Sequence, residues 1–127
     1  MNDLLAATVD LINERVRGFN HLEVEMHSFI ENQLTLVIGQ DLLYYSDFKV
    51  VFEKVFMLSM NTAFRIDAPQ PWLSIVTDTM TEINRQFRVE IGNTLFQVHN
   101  DDHLPFFVAA EGLQYLPDGE KYRHGLV

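Results

Sequence analysis

"HLEVEMHSFIENQLTLVIG", residues 21–39, decides the fold. Leu22, Val24, Met26 and Ile30 alternate with Glu23, Glu25, His27 and Glu31, the two-residue period of a strand with one dry and one wet face. Glu31-Asn32 has turn composition, and Leu34, Leu36 and Ile38 then resume the alternation. Two such strands joined by so short a turn form an antiparallel hairpin. Its apolar face needs a covering layer.

Upstream, the period changes. Leu5, Val9, Ile12, Val16 and Phe19 recur at helical spacing, which predicts a helix over residues 3–18, with Leu4 and Leu11 widening the apolar stripe. Arg15 and Arg17 suit the negative C-terminal end of the helix dipole, and Gly18 can stop the helix. This helix is the expected cover.

Downstream, "FKVVFEKVFMLSM" (48–60) is a strand with Phe48, Val50 and Phe52 on one face. Strict alternation would then bury Lys54, so a bulge is expected at Glu53-Lys54. "IDAPQPW" (66–72) breaks the pattern. Residues 72–87 fit a helical face but carry many β-branched side chains, leaving helix and strand both open. Strand patterns return at 87–91, after the Gly92-Asn93 turn signal, and at 106–116. Residues 117–127 form a polar tail. The sum is a single α+β domain: a curved antiparallel sheet or small sandwich of about six strands, with the N-terminal helix packed on it.

Composition narrows the function. The chain has 127 residues, of which 47% are apolar, including ten Phe, four Tyr and one Trp, enough for one substantial core. Without cysteine it has no disulfide, thiolate metal site or cysteine nucleophile. Nine Lys and Arg against 18 Asp and Glu give a net charge of −9, which disfavours nucleic acid and anionic lipid and suits a basic protein partner. No apolar run approaches membrane-span length, and the first residues lack the pattern of a targeting signal, so a cytoplasmic location is expected.

Motifs for chemistry are sparse. None of Ser28, Ser46, Ser59 and Ser74 sits in a nucleophile elbow, and the scattered glycines make no phosphate-binding loop. No cofactor is expected. "QVHNDDHLPFF" (97–107) concentrates ionisable groups, and His99 and His103 are the weak candidates for metal ligands. The competing reading is a hairpin tip, since Asn100 to Asp102 favour a turn and Pro105 bars a helix. Glu111, on a face with Phe107, Ala109, Leu113 and Tyr115, is either a buried functional carboxylate or is turned outward by a bulge at Gly112. Tyr44 and Tyr45, with Trp72, are the candidate recognition residues. Adjacent aromatics on a strand point to opposite faces, so in Tyr44-Tyr45, as in Phe106-Phe107, one belongs to the core and the other is either covered by the helix or available to a partner.

The run "HLEVEMHSFIENQLTLVIGQDLLYYSDFKVVFEKVFML" (21–58) resembles a layout found in small bacterial single-domain proteins. These include uncharacterised families and immunity proteins of polymorphic toxin systems. The shared pattern is strand, short turn, strand, tyrosine-containing loop, then a V-x-F-x-x-V strand, here Val50 to Val55 around Phe52. It extends over about residues 20–116, excludes the helix, and assigns no residue a role. What it implies is a non-catalytic protein acting through protein contacts, as an immunity-type inhibitor of a basic toxin would. The alternative expectation is a small-molecule binder or enzyme with an aromatic-lined pocket in the curved sheet and Glu111 or His99 as its polar group. A homo-oligomer paired through helices or sheet edges is the third.

Overall fold

The computed structural model of the protein describes residues 3–67, 71–76, 92–101 and 104–121. Among them the chain order is helix α1 (Asp3–Arg17), then β1 (Leu22–Ile30), β2 (Gln33–Gly39), β3 (Tyr45–Ser46), β4 (Phe48–Ser59), β5 (Ala63–Ile66), β6 (Leu73–Ile75), β7 (Thr94–Val98), β8 (Phe106–Leu116) and β9 (Glu120–Lys121). Seven strands make one antiparallel sheet in the order β5-β1-β2-β4-β8-β7-β6, and β3 pairs with β9 in a separate ribbon. The α+β class and the curved sheet are as the sequence predicts, but the main sheet has seven strands rather than about six.

Short strands explain the difference in count. β5 has four residues and β6 three, too few to display an alternation. β6 also resolves the start of the ambiguous stretch, since Leu73–Ile75 pairs with β7. The remainder of that stretch from residue 77, and the strand expected at 87–91, lie outside the described residues.

The sheet curls around its own core. Leu22, Val24, Leu34, Leu36, Ile38, Phe48, Val50 and Phe52 point to its concave side and are buried, as the period of two requires. Phe96, Val98, Phe106, Val108 and Ala110 complete that face. The curl brings Phe64 of β5 against Phe106 of β8, ring centroids 5.2 Å apart, although three strands separate them in the sheet. Helix α1 lays Leu5, Val9, Ile12 and Val16 on this core. Burial of each such side chain contributes about 1.5–3 kcal/mol. Leu4 and Leu11 are a correction: both are exposed. Helix α1 meets chiefly β6 and β8, so only a narrow stripe is covered.

Two irregularities re-aim side chains. The register between β1 and β2 shifts at His27, so Phe29 rather than Ser28 falls opposite Leu34, and Ile30, opposite Gln33, is exposed. Lys54 has φ of 51°, which turns it to solvent and passes the core position to Val55; the register between β4 and β8 then shifts between Val55 and Met57. The bulge expected at Glu53-Lys54 is therefore displaced: the register is unbroken from Glu53 to Val55, and the positive φ of Lys54 rather than a bulge turns that side chain outward. The turn between β1 and β2 is made by Glu31 and Asn32, both at positive φ, as a two-residue hairpin requires.

Candidate protein-binding surface

Between β2 and β4 the chain leaves the main sheet and returns through residues 40–47. Gly39 allows this loop to fold back tightly: a Cβ there would sit 3.0 Å from the Tyr45 carbonyl oxygen and 3.1 Å from Leu42 Cδ2. Carboxylates then hold the backbone. Asp41 forms an Asx-turn by accepting from the Leu43 N–H at 3.2 Å, and its carbonyl accepts from the N–H groups of Tyr44 and Tyr45. Glu23 Oε1 accepts from the Leu42 N–H at 2.9 Å, and Asp47 Oδ2 accepts from the Gln40 N–H at 2.9 Å. Leu42 is buried as the loop's anchor.

What this frame presents is apolar. Leu43, Tyr44 and Tyr45 are 62%, 68% and 41% exposed, three consecutive large side chains standing in solvent on a fixed backbone. The ribbon behind them is closed by Tyr45 paired with Lys121 and by an ion pair from Lys49 to Glu120. The Lys49 ammonium, by hydrogen bond and charge, holds the Glu120 carboxyl below its ordinary value. The tail is therefore structured through Lys121, and residues 122–127 lie outside the described residues.

A cleft of about 300 Å³ adjoins the loop on the outer face of the sheet. Glu23 and Glu25 point to this face from β1. Their neighbours across the strands are Arg65 and Gly39 for the first, Ala63 and Val37 for the second. Ala63 leaves the floor low, and Leu42 and Leu43 line the cleft on the loop side. Both glutamates are half-buried.

The other candidates lie elsewhere. Trp72 is fully buried in the core, so it does not join Tyr44 and Tyr45 on the surface, and among the described residues its indole Nε1–H has no hydrogen-bond partner. Glu111 is exposed. Both β4 and β8 change face between Phe52–Val55 and Ala110–Leu113, so Glu111 does not share the core side with Leu113 and Tyr115. It rims a shallow polar hollow with Lys54, Glu31 and Asn93. His99 is half-buried, its Nε2 3.3 Å from Ser74 Oγ and its backbone N–H donating to the Trp72 carbonyl. His103 lies outside the described residues, among which no group of three or more His, Asp or Glu is placed to hold a metal ion. Val98 pairs with Phe106, so residues 99–105 do join two strands, and Asn100 closes the loop through hydrogen bonds to both backbone groups of Leu104.

Sequence reasoning missed Leu43 and the cleft. For Leu43 a usable signal was present: Gly39 for the fold-back, Asp41 and Asp47 as turn formers, and an apolar run between them with no strand partner to bury it.

Fold and surface together define an α+β protein with a curled antiparallel sheet and a rigid apolar loop set among carboxylates. Comparison with protein-family models, curated proteins and solved structures finds no match. Among the described residues no helix is long and apolar enough to cross a membrane.

Proposed function

We propose that the protein is a non-catalytic binding module that engages a basic protein partner through Leu43, Tyr44 and Tyr45. The supporting observation is the rigid exposure of these three side chains on a backbone pinned by Asp41, Glu23 and Asp47. A preorganised loop loses little entropy on binding, and tyrosines are frequent energetic anchors of interfaces. The net charge of −9 favours encounter with cationic surfaces and rejects anionic ones. An immunity-type role, covering the basic working surface of a toxin, is the narrower form of this reading. It draws on the resemblance in the hairpin and V-x-F-x-x-V strand.

The test is affinity capture with the wild type and with a Tyr44→Ala, Tyr45→Ala double variant, followed by identification of what differs. The expected result is a basic protein retained by the wild type, lost with the variant and released by salt. Identical captures from the two proteins would remove the proposal.

A further inference from the structure

The geometry points to the cleft beside this loop as the seat for one arginine or lysine side chain of the basic partner, an inference that rests on the proposed binding role. Three features converge there.

First, the space is bounded on more than one side. Ala63, opposite Glu25 in the register, gives a floor without bulk, and Leu42 and Leu43 bound it on the loop side, leaving about 300 Å³. A flat acidic strand face would offer no such enclosure. Second, the polar groups suit a cation. Glu23 and Glu25 are two residues apart on β1, so their side chains emerge on one face about 7 Å apart. Glu23 is fixed by the hydrogen bond that its Oε1 accepts from the Leu42 N–H. Its position is therefore set before any partner arrives, and a carboxylate so held can accept from a guanidinium or ammonium at little ordering cost. Third, the walls are apolar, matching the methylene stem of lysine or arginine, which packs on apolar surface while its charged head reaches an acid. Leu43 belongs both to this wall and to the exposed triad. A partner residue in the cleft would thus lie next to whatever covers Tyr44.

Arg65 also borders the cleft, opposite Glu23 in the register. It stands beside Glu23, and it adds to the field that favours the charged form of Asp67. An incoming cation competes with it. The two sides of the cleft therefore make opposite predictions, which a merely structural role would not.

The experiment is a titration of the full chain, followed by amide NMR, with the tripeptide acetyl-Gly-Arg-Gly-amide, its lysine analogue and its uncharged citrulline analogue. The arginine peptide is expected to bind with Kd on the order of 1 mM. Its shifts should centre on Leu42, Leu43, Ala63 and Phe64, and the citrulline peptide should bind at least several-fold more weakly. Glu23→Gln keeps an acceptor for the Leu42 N–H while removing the charge, and should weaken the arginine peptide by about fivefold. Arg65→Gln should tighten it. The inference is overturned by shifts located elsewhere, by citrulline binding as well as arginine, or by the two variants changing affinity in the same direction. If capture of a basic protein depends on the tyrosines but the tripeptides do not bind, the cleft is wrong and the binding role stands. If the tripeptides bind as described but the captures are identical, the binding role fails alone.

Discussion

The side-chain amide of Asn13 pairs with the backbone of Leu73 as a neighbouring strand would: Nδ2 donates to the Leu73 carbonyl at 2.7 Å and Oδ1 accepts from the Leu73 N–H at 2.9 Å. β6 is the last strand of the sheet, and Leu73 presents both groups to its open edge because His99 and Leu95 bond Trp72 and Val76 on the other side. At the opposite edge Asp101 plays the same part on β5: its N–H donates to the Arg65 carbonyl, and its carboxylate accepts from the Asp67 N–H at 2.7 Å. Each edge of the curled sheet thus has a polar residue, from the helix or from a loop, in place of a further strand. Unpaired edges invite pairing with other chains, and these contacts blunt that tendency.

Asn13→Leu should therefore cost more than a surface substitution. Leu73 is fully buried, so its N–H and carbonyl would be left without partners, at about 1–3 kcal/mol each. Urea denaturation should show a lower midpoint with an unchanged slope, and light scattering should show more self-association. A variant as stable and as monodisperse as the wild type would show that the edge needs no cap.

The acid limb of stability should carry the signature of Asp67. Its carboxyl is held below the ordinary value of 3.8, first by the hydrogen bond with His21, then by hydrogen bonding with Asp101. A carboxyl with a depressed folded-state pKa adds stability above its unfolded value, and this is lost as pH falls through the folded one. Asp67→Asn should remove that contribution. Denaturation midpoints of wild type and variant should differ at neutral pH and converge below about pH 3.8. Parallel curves down to strong acid would contradict the assignment.

The glycines of the sheet separate two cases. At Gly39 an added methyl meets the Tyr45 carbonyl oxygen and Asp47 N at 3.0 and 3.2 Å, backbone atoms of the loop that carries the tyrosines. At Gly112 the near contact, 2.8 Å, is Glu53 Oε1, the end of a flexible side chain that can move away. Gly39→Ala should cost about 1–3 kcal/mol and loosen the loop, while Gly112→Ala should stay within about 1 kcal/mol of wild type. Thermal melts of the pair, with hydrogen exchange at Leu42 to Tyr45, provide the check. Equal effects at both sites would mean that the loop is not packed as described.

The hairpin, the helix stripe and the central strands were legible because each repeats one physical period over five or more residues. Leu22 to Met26, Leu34 to Ile38 and Leu5 to Val16 all bury the predicted side. The failures have local causes. Ile30 was misplaced because nothing in the alternation announces the register shift at His27. Leu4 and Leu11 widen the apolar stripe yet stay exposed, because a helical stripe shows its own width but not that of the surface it meets. Trp72 follows two prolines and reads as loop, yet tertiary packing draws it wholly inside. The cleft could not be read at all, since Glu23 and Glu25 meet Arg65 and Ala63 only through strand register.

Arg15 ties the helix end to the sheet beside the proposed surface, and its replacement tests how far that surface depends on the helix. One guanidinium donates to Tyr115 Oη at 2.9 Å, to the Pro117 carbonyl at 3.3 Å and to the Asp47 carbonyl at 3.2 Å. It also lies 5.1 Å from the Phe48 ring centroid, so the contact is a cation–π one as well. Lysine has the charge but neither the planar fork nor the several fixed donors. Arg15→Lys should therefore lose most of these bonds and cost about 1–2 kcal/mol. Because Asp47 and Pro117 flank β3 and β9, exchange protection should fall at Ser46 and Lys121 before it falls in the central strands. Loss of protection spread evenly over the sheet would show instead that Arg15 supports the core as a whole.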